Sequence, residues 1–365
     1  MSPRRFHQVL VSASPGDAVT NEALALRPVL RRLGESEIFA RYYDPSLAGE
    51  VLPLDEYDRR APAGAGGASD DVLVLHGSIG EPAVASFVAG RPERLVLRYH
   101  NISPSGPFVP YDPAFAALLD QGRAEIAALA PRVVLALADS TFNGTDLEAM
   151  GYGGVRVSPL VVDPSALCGL EPDPATAHHL ATTVRGPVLL FVGQLLPHKR
   201  PDLLLQAFHV LATYLDPEAQ LILVGPARLP GYRDAVQHLV HELSLPNAWI
   251  TGAVTPEALA AFYRRADVFV TASEHEGFCV PVLEAMAFEV PVVARAAGAV
   301  PETVADAAVV LPVDGGPLLL AEAMRAAVHD EGLRVGLAAR SRARLSHFDP
   351  ARSAETFLGH LAELV

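Results

Sequence analysis

Short apolar runs alternate with amphipathic stretches along most of the chain. In the first half, apolar positions every three or four residues predict helices at Ala18–Leu33 and Ala114–Ala130. The apolar runs between such stretches predict buried strands at His7–Ser12, Ser36–Ala40, Asp71–Gly77, Arg94–Asn101 and Arg132–Ser140. The stretch APAGAGGASD, residues 61–70, predicts a mobile loop. Strands that alternate with helices are typical of a parallel sheet covered on both faces.

The same alternation begins again after a stretch rich in proline and polar residues, which predicts an interdomain linker at residues 169–186. Beyond it, strands are predicted at Val188–Val192, Gln220–Val224, Ala248–Ile250, Asp267–Thr271 and Pro291–Ala294. We therefore predict an α/β protein with two doubly wound, Rossmann-like domains, residues 1–168 and 187–345. A final helix within residues 346–365 is predicted to pack back on the first domain.

Composition narrows the classes of partner. The 365 residues carry a formal net charge of −14, which argues against nucleic-acid binding and against attraction to an anionic membrane. The two cysteines, Cys168 and Cys279, lie far apart without CxxC spacing, so neither a disulfide framework nor a zinc site is predicted. With no apolar run of 18 residues and no signal-peptide core, the chain is predicted to be cytoplasmic.

Two junctions between a strand and a helix in the second half carry candidate chemistry. In FVGQLLPHKRPDLLLQAF, Gly193 ends a strand and lets backbone approach a ligand, while Lys199 and Arg200 precede Pro201 at a helix start. Cations beside a helix N-terminus favour an anion such as phosphate, although a Lys-Arg pair taken alone is more often a solvated loop.

The second junction is SEHEGFCVPVLEAM, where Pro281 is predicted at the first helical position and Glu284 in the first turn. A diphosphate could bind the backbone N–H groups of the loop residues between the two acids, Gly277, Phe278 and Cys279. Glu276 and Glu284 would then point to the neutral, hydroxyl-rich ends of such a ligand, because carboxylates accept hydrogen bonds from vicinal hydroxyls. Each acid taken alone reads as a surface residue.

Four ordered segments of the second half together resemble the retaining glycosyltransferases of family 4. VGQLLPHKRPDLLLQAF is similar to their VGR-x4-KG-x-D-x-L-x-x-AF segment, and SEHEGFCVPVLEAMA resembles their E-x7-E signature. TGAVTPEALAAFYRRADVFV and RAAGAVPETV resemble the segments that flank this signature. The resemblance implies the GT-B fold, in which two Rossmann-like domains face each other.

The resemblance also implies site roles. Glu284 would hold the nucleotide ribose, Glu276 the hydroxyls of the donor sugar, and Lys199 the diphosphate. The base would lie against the backbone near Ala253 and Val254. No metal and no cofactor beyond the nucleotide sugar are expected.

One position departs from the family pattern. Gln194 stands where the family usually has a second phosphate-binding arginine, and an amide supplies no charge to the departing diphosphate. Arg200 or His198 is a candidate to compensate. Cys279, where the family often has glycine, is predicted to be a packed thiol.

The first half resembles the family less strongly. SASPGDAVTNEAL is similar to the glycine loop after the first strand, where Gly16 would bring backbone near the diphosphate and Asp17 would cap the helix or touch an acceptor hydroxyl. In RYHN, the resemblance implies that His100 faces the donor sugar. His76 in VLHGS is a structural or acceptor-side candidate.

These patterns predict transfer of a hexosyl group, with retention, from a UDP- or GDP-sugar to a hydroxyl of a saccharide or small-molecule acceptor. A noncatalytic nucleotide-sugar-binding partner of an active transferase, a sugar-nucleotide epimerase and a retaining phosphorylase remain alternatives. A dinucleotide-dependent dehydrogenase is disfavoured because no GxGxxG opens either half.

Overall fold

A computed structural model describes residues 4–60 and 70–364, so most of the predicted mobile loop, residues 61–69, lies outside the described residues. The chain forms two compact units. The first comprises Met1–Gly106, Ala114–Val162 and Phe348–Val365, and the second comprises Pro107–Pro113 and Asp163–His347. In the described residues, no helix is both long and apolar enough to cross a membrane.

The first unit contains a seven-stranded parallel sheet of strand order β3-β2-β1-β4-β5-β6-β7. Its strands are β1 Phe6–Ala13, β2 Ile38–Tyr43, β3 Leu52–Pro53, β4 Val72–Gly77, β5 Arg94–Tyr99, β6 Val133–Ala138 and β7 Arg156–Val157. Its helices are α1 Ala18–Leu30, α2 Tyr57–Arg60, α3 Pro82–Ala89, α4 Pro113–Leu129 and α5 Thr141–Ala149. The order reverses between β1 and β4, which is the switch point where ligands bind in doubly wound sheets.

The second unit contains a six-stranded parallel sheet of order β10-β9-β8-β11-β12-β13. Its strands are β8 Val188–Val192, β9 Gln220–Val224, β10 Ala248–Gly252, β11 Val268–Thr271, β12 Val292–Arg295 and β13 Val309–Leu311. Its helices are α6 Pro174–Thr183, α7 Pro201–Val210, α8 Pro230–Glu242, α9 Pro256–Arg265, α10 Val280–Ala287, α11 Val300–Val304, α12 Pro317–His329 and α13 Glu331–Leu345. Here the order reverses between β8 and β11.

The last helix, α14 Pro350–Ala362, packs in the core of the first unit, as predicted. Phe357 and Leu361 are fully buried there in a cluster with Phe6, Leu26 and Val96. Aliphatic and aromatic burial of this kind stabilises a helix docked far along the chain from its neighbours.

The segment predicted to be a linker, residues 169–186, instead carries α6. Asp173 caps this helix by accepting a 2.7 Å hydrogen bond from the Thr176 amide, and Leu180 is buried. The Asp173 amide also donates to the carbonyl of Glu257, in α9, at 3.0 Å. Proline at the first helical position therefore marks a helix start within the second unit. The chain passes between the two units at Gly106–Pro107, Pro113–Ala114, Val162–Asp163 and His347–Phe348.

Candidate active site

An ion pair joins the two strands at the switch point of the second sheet. Lys199 follows β8 and Glu276 follows β11, and the Lys199 Nζ lies 2.6 Å from the Glu276 Oε2. Ser273 Oγ donates to the other Glu276 oxygen at 2.7 Å. Burial alone would lower the pKa of Lys199, but the neighbouring Glu276 carboxylate raises it above its ordinary value. The structure thus brings together an ammonium and a carboxylate that are separated by 77 positions in sequence.

The backbone around Glu276 is fixed by the loop after β12. The Ala299 amide donates to the Glu276 carbonyl at 2.9 Å, and a Cβ on Gly298 would lie 2.2 Å from that same oxygen. Gly298 has φ of +56°, so this approach suits only glycine. The loop predicted from RAAGAVPETV therefore holds Glu276 in place.

Helix α10 starts one residue earlier than predicted. Cys279 is its N-cap residue with φ of +75°, Val280 is the first helical residue and Pro281 the second. Glu284 is consequently the fifth helical residue and lies beyond the first turn, which corrects its predicted position. The left-handed backbone at Cys279 explains why glycine suits this position in the family. Burial, and then Glu276, raise the pKa of the Cys279 thiol, which therefore stays protonated at neutral pH.

Glu284 is oriented by a tyrosine that sequence reasoning missed. Tyr263 is 1% exposed, packs its ring parallel to Phe288, and donates from its hydroxyl to the Glu284 Oε2 at 2.8 Å. Burial raises the pKa of Glu284, and the Tyr263 hydrogen bond partly opposes this. Within residues 4–60 and 70–364, the Glu284 Oε1 has no hydrogen-bond partner, so one carboxylate oxygen is held and the other remains for a ligand.

Neither predicted substitute for the missing arginine supplies a spare charge. The Arg200 guanidinium donates to Asp202 at 2.9 Å and also pairs with Glu274. His198 is buried, which lowers its pKa well below the usual value and leaves it neutral. Arg295, at the end of β12, is a cation that sequence reasoning missed. It is 5% exposed and donates to the Ala272 carbonyl at 2.9 Å, while its buried Nε has no partner within the described residues.

The predicted contacts for the base and the diphosphate are backbone positions at strand ends. Gly193 follows β8, and its φ of +155° favours glycine. A Cβ on Gly225 would lie 2.0 Å from the Gly193 carbonyl oxygen, so position 225 also requires glycine. Gln194 and Val254 are half-buried. Val254 follows β10 beside the exposed Ala253.

In the first unit, His100 lies in a buried polar network at the ends of β4, β5 and β6. Its Nδ1 is 2.9 Å from the Asp139 Oδ2, and its Nε2 is 2.8 Å from the His76 Nδ1. Both ring nitrogens therefore contact other side chains, which sequence reasoning did not foresee. Gly16 has φ of +75°, and Asp17 caps α1 by accepting from the Thr20 amide at 3.0 Å.

Composition alone distinguishes Lys199 from the other basic residues. Lys199 is the only lysine of the chain, and every other basic side chain apart from histidine is an arginine. The sequence therefore singles out position 199 as the one place where a lysine stands among arginines. The two groups differ in shape and hydration, because lysine is a compact point charge and arginine a planar fork.

The second unit resembles known proteins in sequence. The family model described as "Glycosyl transferases group 1" matches residues 179–344. The chain is 32% identical over 229 residues to a D-inositol 3-phosphate glycosyltransferase of Xylanimonas cellulosilytica, covering 60% of this chain and 52% of that protein. It is 40% identical over 156 residues to a GDP-mannose-dependent alpha-mannosyltransferase of Mycolicibacterium smegmatis, covering 42% of this chain and 38% of that protein. The matches thus span about half the length of these relatives or less.

Solved structures share the whole fold. HepE of Anabaena, in complex with UDP-glucose, superposes with a TM-score of 0.76 at 18% identity and covers 98% of this chain and 99% of its own. A glycosyltransferase of Rickettsia africae gives a TM-score of 0.72 at 15% identity, covering 99% and 98%. The predicted fold class, two doubly wound domains of GT-B type, is confirmed.

Proposed function

We propose that the chain, whose residues 179–344 match the model of the group 1 glycosyl transferases, moves a hexosyl group from a UDP- or GDP-sugar to a hydroxyl of a saccharide or small-molecule acceptor, with retention at the anomeric carbon. The relative from M. smegmatis is named for GDP-mannose, and the Anabaena structure contains UDP-glucose. These two names support a nucleotide diphosphate sugar as the donor.

The single observation that carries the proposal is the charge arrangement before α10. The Lys199 ammonium is 2.6 Å from the Glu276 Oε2, and Glu276 lies in the loop before α10, whose N-terminus carries a positive partial charge. A diphosphate seated there has a cation and a helix dipole for its negative charge. Glu276 is then available to the donor sugar hydroxyls, and the Glu284 Oε1 to the ribose hydroxyls.

In the proposed reaction the bond from the anomeric carbon to the diphosphate oxygen breaks, and a bond to the acceptor oxygen forms on the same face. The acceptor proton passes to the departing phosphate oxygen. Lys199 and the N-terminus of α10 stabilise the charge that grows on that phosphate. In this proposal these groups supply the positive charge without a metal ion.

The single lysine allows a direct test of the site. Protein grown with [15N]lysine has one labelled backbone amide, that of Lys199, which donates to the Leu196 carbonyl at 2.9 Å. We expect UDP- or GDP-sugars to shift this one signal in a saturable way, and inorganic phosphate at the same concentration to shift it less. Lys199→Met should lower donor affinity and lower kcat by about 100-fold or more. Arg325→Met, on the exposed surface of α12, is the matched control.

A binding-only partner of another transferase is the second candidate, because Gln194 removes a charge that the family provides and Arg200 is already paired. That function requires the lysine signal to shift while no glycoside forms across a panel of polyol and saccharide acceptors. If neither UDP- nor GDP-sugars moved the signal, the site assignment would be wrong.

A further inference from the structure

The polar network of the first unit runs across four strands and one helix. Gln8 on β1 contacts His76 on β4, His76 contacts His100 after β5, and His100 contacts Asp139 after β6. Glu22 on α1 lies 3.4 Å from the His100 Nδ1. Arg98 on β5 completes the network with contacts of 2.6 Å to Glu22 and 3.1 Å to Asp139.

The hydrogen atoms in this chain of contacts can be counted from one end. The Gln8 Nε2 donates to the Ala23 carbonyl at 2.9 Å, so the Gln8 Oε1 faces the His76 Nε2, 2.9 Å away, and must accept from it. His76 therefore carries its hydrogen on Nε2. At the other end, the Asp139 carboxylate lies 2.9 Å from the His100 Nδ1, which must donate to it.

If His76 and His100 are both neutral, no hydrogen bond can form between their rings. If His76 is protonated only on Nε2 and His100 only on Nδ1, two lone pairs face each other between the His76 Nδ1 and the His100 Nε2 at 2.8 Å. Rotating the Gln8 amide would instead bring its oxygen against the Ala23 carbonyl. The contact is a hydrogen bond only if a third hydrogen lies between the rings.

We propose that His76 and His100 hold one excess proton between them in the folded protein at neutral pH, and that His76 is the positioning residue that keeps His100 an imidazolium. The charges then balance, because the Arg98 guanidinium and the histidine pair together oppose Glu22 and Asp139. Such balance is what burial demands, since Glu22, Arg98 and His76 are each 0% exposed.

The acids around the pair favour this state. Burial alone would lower the pKa of His100, but Asp139, followed by Glu22, raises it above the ordinary value. For His76, burial and then the charge of His100 lower the pKa, which places the excess proton on His100. Gln8 is neutral and Arg98 is a cation, so no other acid faces the rings from β1 or β5.

A metal ion is a poorer occupant of the same place. Glu22, His76 and His100 do bring three ligand-type atoms within 4.8 Å of one another. However, Arg98 donates to both Glu22 oxygens, at 2.6 and 3.2 Å, and so occupies the carboxylate that a cation would need. Two nitrogens on one tetrahedral zinc lie about 3.3 Å apart, given bonds of about 2.0 Å, whereas the two ring nitrogens here are 2.8 Å apart.

The protonated pair changes what His100 can do. A ring whose two N–H groups already donate inside the protein cannot act as a general base and has no hydrogen left for a hydroxyl. His100 then acts on its surroundings as a fixed positive charge at the carboxyl edge of the sheet. This inference concerns the first unit and stands whether or not the proposed transfer is correct.

The experiment is a long-range 1H–15N spectrum of the histidine rings in [15N]histidine protein. At pH 7.5 we expect the pair to show three protonated nitrogens in total, and these should persist at a pH where exposed histidines have become neutral. Spectra of His76→Phe and His100→Phe assign the signals, and His178→Gln, at an exposed histidine, serves as the control that leaves them unchanged.

Gln8→Leu provides a second test, in which the pair should lose its excess proton more easily. Without the acceptor on Gln8, His76 can carry its hydrogen on Nδ1, so a neutral pair becomes allowed and the midpoint of its deprotonation should fall by a pH unit or more. If the ring variants do not fold, the parent spectrum still decides, because the 15N–15N coupling across the short contact between the His76 Nδ1 and the His100 Nε2 distinguishes this pair from the other buried histidines, His7 and His198. Two protonated nitrogens at pH 7.5, or loss of N–H signals on adding one equivalent of zinc, would overturn the proposal.

Discussion

The first unit contains the histidine network, and the second contains a cluster of Lys199, Glu276 and Glu284. Both groups place ionised side chains around the carboxyl ends of parallel strands. The network consists of Gln8, Glu22, His76, Arg98, His100 and Asp139. They differ in how far their polar atoms are exposed to a ligand. In the network, Glu22, Arg98 and His76 are fully buried and each contacts another member. The Asp139 Oδ1 makes no hydrogen bond within the described residues, but it lies 3.1 Å from the Arg98 guanidinium. In the cluster, the Lys199 side chain is 22% exposed and the Glu284 Oε1 has no hydrogen-bond partner within the described residues.

From this difference we infer that the first site supports the fold and that the second is the one to bind a ligand. A closed network gains nothing from a ligand, because every strong donor already has an acceptor and the surroundings exclude water. An open cluster has a polar oxygen or hydrogen without a hydrogen-bond partner in the protein. Its ionised groups are stabilised further when a ligand replaces water. We therefore expect substitutions in the first region to reduce stability, and substitutions in the second to reduce binding or turnover.

The largest effect is expected from Arg98→Met. Removing the guanidinium leaves Glu22 and Asp139 buried without their counterion, and breaking a buried ion pair from one side costs about 3–5 kcal/mol of folding free energy. Peptide-resolved hydrogen exchange of β4, β5 and β6 under urea measures the loss within the first unit. The control is Arg31→Met, whose exposed pair with Glu37 should contribute no more than about 1 kcal/mol. Equal losses in the two variants would contradict a closed, charge-balanced network.

The next effect is expected on turnover, from Glu276→Ala. Its two oxygens are held by Lys199 and Ser273, and we expect kcat to fall about 100-fold while nucleotide affinity changes about threefold or less, because the side chain is assigned to the sugar. Free UDP and GDP are titrated by calorimetry, and turnover is measured with the preferred nucleotide sugar. Glu242→Ala is the control at an exposed carboxylate. A loss confined to UDP or GDP affinity would reverse the assignment.

The fold could be predicted largely from sequence, because buried parallel strands leave continuous apolar runs. Strand β7 was missed since two exposed residues, Arg156 and Val157, form no such run. Searching for apolar runs finds these strands but gives no role to Gln8 and Arg98, which are polar residues inside such runs. Only tertiary packing shows that they meet Glu22 and His76.

The segments of the proposed donor site were easier to single out in the sequence than the histidine network, and for a physical reason. A ligand that binds several loops requires each loop to keep its residue types in order, so the loops around Lys199, Glu276 and Glu284 leave recognisable segments. Tyr263 left none, because its hydroxyl is one atom on a helix face that otherwise follows an apolar pattern. Its partner Glu284 lies on another helix, 21 positions away.

The smallest effect, and the sharpest test of Glu284, is expected from Tyr263→Phe. Losing one hydrogen bond to the carboxylate, worth about 1 kcal/mol, should raise the donor KM about fivefold and leave kcat within about twofold. Burial raises the pKa of Glu284 and the Tyr263 bond opposes this, so the variant should raise that pKa further. Since the ionised carboxylate accepts the ribose hydroxyls, donor affinity should decline on acidification from a higher pH in the variant than in the parent.

Tyr214→Phe, at a tyrosine that is 75% exposed, controls for loss of a hydroxyl as such. The decisive comparison uses nucleotides that lack the ribose 2′- and 3′-hydroxyls. These should bind parent and Tyr263→Phe protein alike, because the oriented Glu284 oxygen then has no partner in either. If the variant weakened both nucleotides equally, Tyr263 would support the packing of α9 on α10, and the unpaired Glu284 oxygen would not be the ribose contact.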